Sequence, residues 1–245
     1  MNSAALSFPD APDVVTSSED YARRFSGNAG AWFLGVQEQA TLEMLRPIPS
    51  ASVLDVGGGH GQLAGPLVRH GYRVTVLGSA ESCGQRIQHL LTHKEFSFRV
   101  GNILELPYSD RAFDVVISFR LLPHVIDWPR FLHELCRVAG RAVIIDYAEV
   151  RSINAIAPLL FQYKKRLEGN TRPFACFRER QLLDVFRTMG YARTERYPQF
   201  FFPMVFHRTL KSVQVSAWIE QVCRAAGLTR LFGSPVILKL VRKDE

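Results

Sequence analysis

Asp55-Val56-Gly57-Gly58-Gly59-His60-Gly61 concentrates more potential chemistry than any other stretch of this 245-residue chain. Glycine fills every position from Gly57 to Gly61 except His60. Such a run does not fill volume. It lets the backbone turn sharply and lets a ligand lie against the main chain without meeting a Cβ. The preceding Ser52 to Val56 is apolar and β-branched apart from Asp55, the pattern of a central parallel strand covered on both faces. A helix beginning at the turn would point free amides at the same ligand.

The rest of the chain supplies the frame that holds this turn. Strands are expected at Ser52–Val56, Arg73–Leu77, Ser97–Val100, Phe113–Ser118 and Ala142–Asp146, with helices at Gly61–His70, Glu81–His93 and Trp128–Val138. That alternation predicts a parallel sheet with right-handed crossovers. Later come a helix over Arg178–Met189, a strand around Thr194–Tyr197, a helix over Thr209–Ala226 and a strand at Val236–Arg242. The last two strands predict an antiparallel edge. The fold class is therefore α/β: a doubly wound, seven-strand, mostly parallel sheet, Rossmann-like, with an N-terminal helical lid and an inserted cap. Residues 1–16 read as a loose tail, and 17–245 as one domain. Within it, 17–49 form the lid, 50–147 the ligand-binding core, 148–177 the cap and 178–245 the C-terminal part of the sheet.

In an open parallel sheet, ligands bind beyond the carboxyl ends of the strands where strand order reverses. The residues to inspect are Gly57–Gly61 after the first strand, Gly78-Ser79-Ala80-Glu81 after the second and Gly101-Asn102-Ile103 after the third. Phe119-Arg120-Leu121-Leu122-Pro123-His124 follow the fourth, and Tyr147 the fifth.

These segments resemble, in order and spacing, the motifs of the class I S-adenosylmethionine-dependent methyltransferases, in their small-molecule, ubiquinone- and menaquinone-type branch. Val53–Gly61 is similar to the family's first motif, and Gly101–Tyr108 followed by Phe113-Asp114-Val115-Val116 to its third-strand region. Leu122–Asp127 resembles the segment after its fourth strand. The resemblance covers roughly residues 50 to 147 and implies methyl transfer from S-adenosylmethionine to a small organic acceptor. It places the methionine end of the cofactor near Asp55, Gly57 and Gly59. The adenosine falls near Gly78, Ser79, Asn102 and Ile103, with Phe119 also beside the cofactor.

Two positions depart from the family. Gly78-Ser79 stands where a carboxylate usually accepts the ribose hydroxyls. The nearest acid, Glu81, also suits the first turn of a helix capped by Ser79. Asn102 replaces the usual Asp beside the adenine, and an amide oxygen still accepts from an amino group.

Methyl transfer needs alignment and exclusion of water more than acid-base machinery. For a hydroxyl acceptor a base helps. His124 is the candidate, against a purely local hydrogen-bonding role. Arg120 suits a cofactor or substrate carboxylate, or a structural ion pair. Tyr147 either lines the pocket or packs beneath the cap. His207 is a second base candidate, against a surface or capping role. Lys164, Lys165, Arg166, Arg172, Arg178 and Arg180 form either a solvated face or a mouth for an anionic substrate. Phe200-Phe201-Phe202 with Tyr21, Phe25 and Trp32 suit an apolar acceptor pocket or ordinary core packing.

Composition sets the outer limits. Basic residues outnumber acidic ones 30 to 23, for a net charge of +7, but they are scattered rather than gathered in a run, which argues against nucleic acid as a partner. The expected partner is a small molecule, anionic or partly apolar; oligomeric state is not legible. Cys83, Cys136, Cys176 and Cys223 are far apart with no CxxC pair, so no metal site is expected and reduced thiols in a cytoplasmic protein fit. No stretch reads as a signal core or membrane span. Two other functions stay open on sequence: a nicotinamide-dependent reductase, and a non-catalytic S-adenosylmethionine-binding protein.

Overall fold

A computed structural model describes residues 8, 10–152 and 174–243. Its centre is one seven-stranded sheet of order β3-β2-β1-β4-β5-β7-β6. The strands are β1 (Ser52–Val56), β2 (Arg73–Gly78), β3 (Phe96–Val100), β4 (Phe113–Ser118), β5 (Ala139–Tyr147), β6 (Tyr191–Phe200) and β7 (Ser234–Arg242). Strands β1 to β5 are parallel. β7 lies antiparallel between β5 and β6. Strand order reverses at β1, whose neighbours are β2 and β4, so the crevice past its carboxyl end is the natural ligand position.

The helices are α1 (Asp13–Thr16), α2 (Glu19–Arg23), α3 (Gly27–Leu45), α4 (Ala64–Arg69), α5 (Trp128–Val138), α6 (Glu179–Thr188), α7 (Met204–Leu210), α8 (Val213–Ala225) and α9 (Leu228–Phe232). Helical placement follows local chemistry. Ser18 caps α2 by accepting from the Tyr21 amide, and Asp127 caps α5 by accepting from Arg130. α5 buries Phe131, Leu132, Leu135, Cys136 and Val138 against one sheet face, with Leu54, Val56, Val116 and Val143. The other face packs Val53, Val115, Ile117 and Ile144 with Met44 and Leu45 of α3 and Leu67 of α4. Each such fully buried side chain contributes roughly 1.5–3 kcal/mol of transfer free energy.

Several expectations need correction. The tail expected to be loose over 1–16 is, at residues 10–16, tied to the body. Asp13 and Thr16 are buried in α1, and Asp10 Oδ2 accepts from the Ile126 amide at 2.8 Å. Glu81–Thr92 winds as a 3₁₀ helix with Ala80 at its N-cap, so Ser79 is not the cap. The helix expected over Thr209–Ala226 is two helices, because Lys211 turns left-handed (φ 52°) and Ser212 restarts α8 by accepting from Val215. Strand β6 is much longer than Thr194–Tyr197. Most of the cap segment falls outside the described residues. Its two flanks are bonded to each other, the Phe177 amide donating to Ala148 O at 2.8 Å and the Val150 amide to Phe177 O at 3.1 Å.

Candidate active site

Asp55 is the penultimate residue of β1, fully buried between β2 and β4. Neither carboxylate oxygen has a hydrogen-bond partner among the described residues. Burial raises its pKa from 3.8 to about 7, and the Arg120 charge pulls the other way. The carboxyl group lies directly over Gly58: a Cβ there would stand 2.0 Å from Asp55 Oδ2. Gly57 and Gly61 take φ of 77°, which favours glycine, and the Gly57 amide donates to Leu77 O at 2.8 Å. At Gly59 a Cβ would stand 2.2 Å from Cys83 O and 2.5 Å from Ser17 Oγ. Three elements thus meet at the turn: β1, the N-terminal arm and the 3₁₀ helix after β2.

Past β4, Arg120 adopts a left-handed backbone (φ 59°). Its amide donates to Asp146 Oδ1 at 2.6 Å, near the end of β5, and Asp146 Oδ2 accepts from Gln37 Nε2 at 3.0 Å. The guanidinium stands over the Phe25 ring at 4.6 Å and the Tyr21 ring at 5.9 Å. Burial raises the Asp146 pKa to about 6 against the pull of the Arg120 amide and charge. Burial lowers the Arg120 pKa and raises that of Tyr21. His60 is held neutral: burial, then the Arg120 and Arg86 charges, push its pKa well below 6.5. Its Nδ1 accepts from the Gln62 amide at 3.2 Å. The buried carboxyl groups of Asp55 and Asp146 thus both act on the Arg120 guanidinium.

The fold brings Asp55, Gly57, Gly59, Gly78, Ser79 and Arg120 to one end of the sheet. Ser79 is buried, and its Oγ has no partner among the described residues. Ile103 and Phe119 are also fully buried, and each side chain belongs to the core of one sheet face. Asn102 spends its side-chain oxygen on the Leu104 amide at 2.9 Å, an Asx turn that shapes the loop. His124 ends the 3₁₀ turn Leu122–His124, half-buried, edge-on to Phe174 at 5.5 Å.

Other candidates take structural positions. Tyr147 is fully buried and donates to Glu179 Oε2 at 3.1 Å, beneath the cap flanks rather than in the crevice. His207 is buried, not on the surface. Its Nε2 donates to Glu220 Oε1 at 3.0 Å within a ring of Trp32, Phe33 and Phe206. Phe200 stacks on Phe33 at 3.7 Å in this cluster, whereas Tyr21 and Phe25 sit with Arg120. Lys164, Lys165, Arg166 and Arg172 lie outside the described residues; Arg178 and Arg180 are exposed.

Sequence reasoning missed Asp13, His60 and Asp146. Asp146 carried a signal, a lone acid closing the apolar run Ala142–Ile145. Asp13, in a Pro-rich stretch far upstream of the turn, carried none.

Residues 54–143 match a family model described as a methyltransferase domain. Among curated relatives, a ubiquinone biosynthesis O-methyltransferase of Paramagnetospirillum magneticum is 32% identical over 117 residues, covering 46% of this chain and 47% of that protein. Norajmaline N-methyltransferase of Rauvolfia serpentina is 36% identical over 77 residues, covering 30% and 26%. The chain thus spans less than half the length of these two relatives. Among solved structures, magnesium protoporphyrin IX methyltransferase from Synechocystis PCC 6803 with bound SAH superposes with a TM-score of 0.63 at 17% identity, over 93% of this chain and 96% of that one. A Burkholderia thailandensis 1,6-didemethyltoxoflavin-N1-methyltransferase gives 0.59 at 14% identity, over 94% and 85%. At those identities the superpositions establish the fold, an α/β Rossmann-like sheet.

Proposed function

We propose that this chain, which carries a class I S-adenosylmethionine-dependent methyltransferase domain, transfers a methyl group from S-adenosylmethionine to a small organic acceptor. The observation that carries the reading is Asp55. A buried carboxyl group with both oxygens unpartnered and a pKa near 7 is a site waiting for a cation with several N–H donors. An α-ammonium group has that chemistry. A Cβ at Gly57, Gly58 or Gly59 would meet Leu121, Asp55 or Cys83 O, so the turn beside Asp55 keeps its path only with glycine. The residues present therefore fit the cofactor.

When bound, the cofactor supplies an electrophilic methyl on a positively charged sulfur, with a neutral thioether as leaving group. The protein's part is placement. Asp55 takes the ammonium group. Arg120, held by Asp146 and backed by Phe25 and Tyr21, pairs with a carboxylate on cofactor or acceptor. His124 serves as base for a hydroxyl acceptor. Tyr21 and Phe25 form the apolar wall that keeps water from the reacting centre. Curated relatives include both O- and N-methyltransferases, which supports methyl transfer without choosing the acceptor atom.

No helix among the described residues is long and apolar enough to cross a membrane. Cys83, Cys136, Cys176 and Cys223 are free thiols. That supports a reducing, cytoplasmic setting. Calorimetric titration with S-adenosylmethionine and S-adenosylhomocysteine tests the reading. Micromolar binding of both is expected, and failure of both to bind overturns it.

A further inference from the structure

We propose that the carboxylate reading the ribose of the cofactor comes from Asp13 in the N-terminal arm, not from the end of β2; this rests on the cofactor reading above. A carboxylate near the end of the second strand, about twenty residues past the glycine turn, is placed to accept both hydroxyls of a ribose. In this chain that position cannot carry one. A Cβ on Gly78 would stand 2.5 Å from Cys83 Cβ and 3.2 Å from Phe98 Cε2. Glu81 starts the following 3₁₀ helix and is exposed.

The Asp13 carboxylate stands at that place instead. Its Oδ2 accepts from the Ser79 amide at 2.6 Å and from Cys83 Sγ at 3.4 Å. Its Cβ lies 3.5 Å from where a Gly57 Cβ would be. Asp13 therefore stands beside both the glycine turn and the end of β2. The side chain is fully buried, and its Oδ1 has no partner among the described residues. Beside it, the buried Ser79 Oγ also lacks one. A buried acceptor and a buried hydroxyl left unmatched on one wall point to a ligand that brings its own O–H groups. A vicinal diol does so: two donors spaced for one carboxylate, with a hydroxyl oxygen free to accept from Ser79. Capping of its own helix does not account for Asp13, since the carboxylate reaches across the fold to Ser79.

The arm then belongs to the binding site, and occupancy of the site should hold the arm down. The test uses the full chain, with S-adenosylhomocysteine and its 2′,3′-dideoxy counterpart as probes. In wild type, removal of the two hydroxyls should weaken binding at least tenfold. Asp13→Asn, which keeps an acceptor for the Ser79 amide, should weaken S-adenosylhomocysteine at least tenfold and leave the dideoxy compound within twofold. A second measurement needs no variant. S-adenosylhomocysteine, but not the dideoxy compound at equal saturation, should slow tryptic cleavage at the exposed Arg23 and Arg24. Unchanged or tighter binding of S-adenosylhomocysteine by Asp13→Asn overturns the proposal, as does equal protection by both probes. If wild type binds neither S-adenosylmethionine nor S-adenosylhomocysteine, the cofactor reading itself falls; if it binds both and Asp13→Asn changes nothing, only the role of Asp13 falls.

Discussion

Asp146 near the end of β5 accepts the main-chain amide of Arg120, just past β4, at 2.6 Å. This bond fixes a left-handed backbone at a non-glycine residue and aims its guanidinium at Phe25. Asp146→Asn keeps an oxygen for that amide and should cost less than about 1 kcal/mol. Asp146→Ala strands both the Arg120 amide and Gln37 Nε2 and should cost roughly 2–4 kcal/mol, read by urea denaturation. A larger loss in the Asn variant than in the Ala variant would reject the positioning role.

Asp55 makes stability depend on pH in an unusual direction. Its pKa is higher folded, about 7, than the 3.8 of an unfolded aspartate. The native state therefore binds the proton more tightly, and stability falls as pH rises from about 4 to about 7. The loss attributable to Asp55 is at most roughly 4 kcal/mol. Asp146, raised to about 6, adds in the same direction. Denaturant midpoints of the ligand-free protein at pH 4.5 and 7.5 should differ in this sense, and Asp55→Asn should flatten the profile.

Binding of an ammonium group beside Asp55 favours its ionised form, so the complex should shed a proton that the free protein holds. Near pH 6, the heat of S-adenosylhomocysteine binding should vary with the ionisation enthalpy of the buffer, with close to one proton released. In Asp55→Asn that dependence should vanish and affinity should drop at least tenfold. Buffer-independent heats in wild type would place the ammonium elsewhere.

Gly59→Ala would drive a methyl group to 2.2 Å from Cys83 O, a main-chain atom that cannot swing aside. Either the arm and the 3₁₀ helix back away from the turn or the turn opens. The expected cost is about 2 kcal/mol or more, with loss of cofactor binding. Gly35→Ala, where nothing lies within 4 Å and φ, as at Gly59, is not positive, controls for a methyl group added without a clash.

Glu220 holds the aromatic cluster together, accepting from the Phe201 and Phe202 amides at 2.8 and 2.9 Å and from His207. Glu220→Ala leaves the buried His207 and two part-buried amides unmatched and should cost roughly 2–4 kcal/mol. His207→Phe should cost far less and leave methyl transfer intact. A collapse of turnover with unaltered stability in that variant would return His207 to the list of bases.

The sheet was legible because its strands are apolar runs separated by amphipathic helices, and local pattern suffices for that. β6 and β7 were legible as strands and their antiparallel sense was expected, but not that β7 would lie inside β6. The break at Lys211 was not, because the sequence there has neither glycine nor proline; Ser212 was the available signal, as a helix cap. At the site, the glycine turn announced itself through residue type. The environment of Arg120 did not, since it is assembled from Asp146, Gln37, Phe25 and Tyr21 on four separate elements. Asp13 looks like part of a tail in the sequence because polar, Pro-containing terminal segments normally are. Only the tertiary fold reveals that it fills the gap left by Gly78.

The position of β7 also constrains the order of assembly. β6 meets the sheet only through β7, and β7 follows β6 in the chain. β6 therefore has no partner until residues 234–242 have been synthesised, whereas β1 to β5 can zip together beforehand. Until then β5 presents a bare apolar edge, Ala142 to Ile145, the hazard that makes late-completed sheets prone to self-association. The half of the fold that bears the glycine turn can form early, but it depends on the distal half to stay soluble.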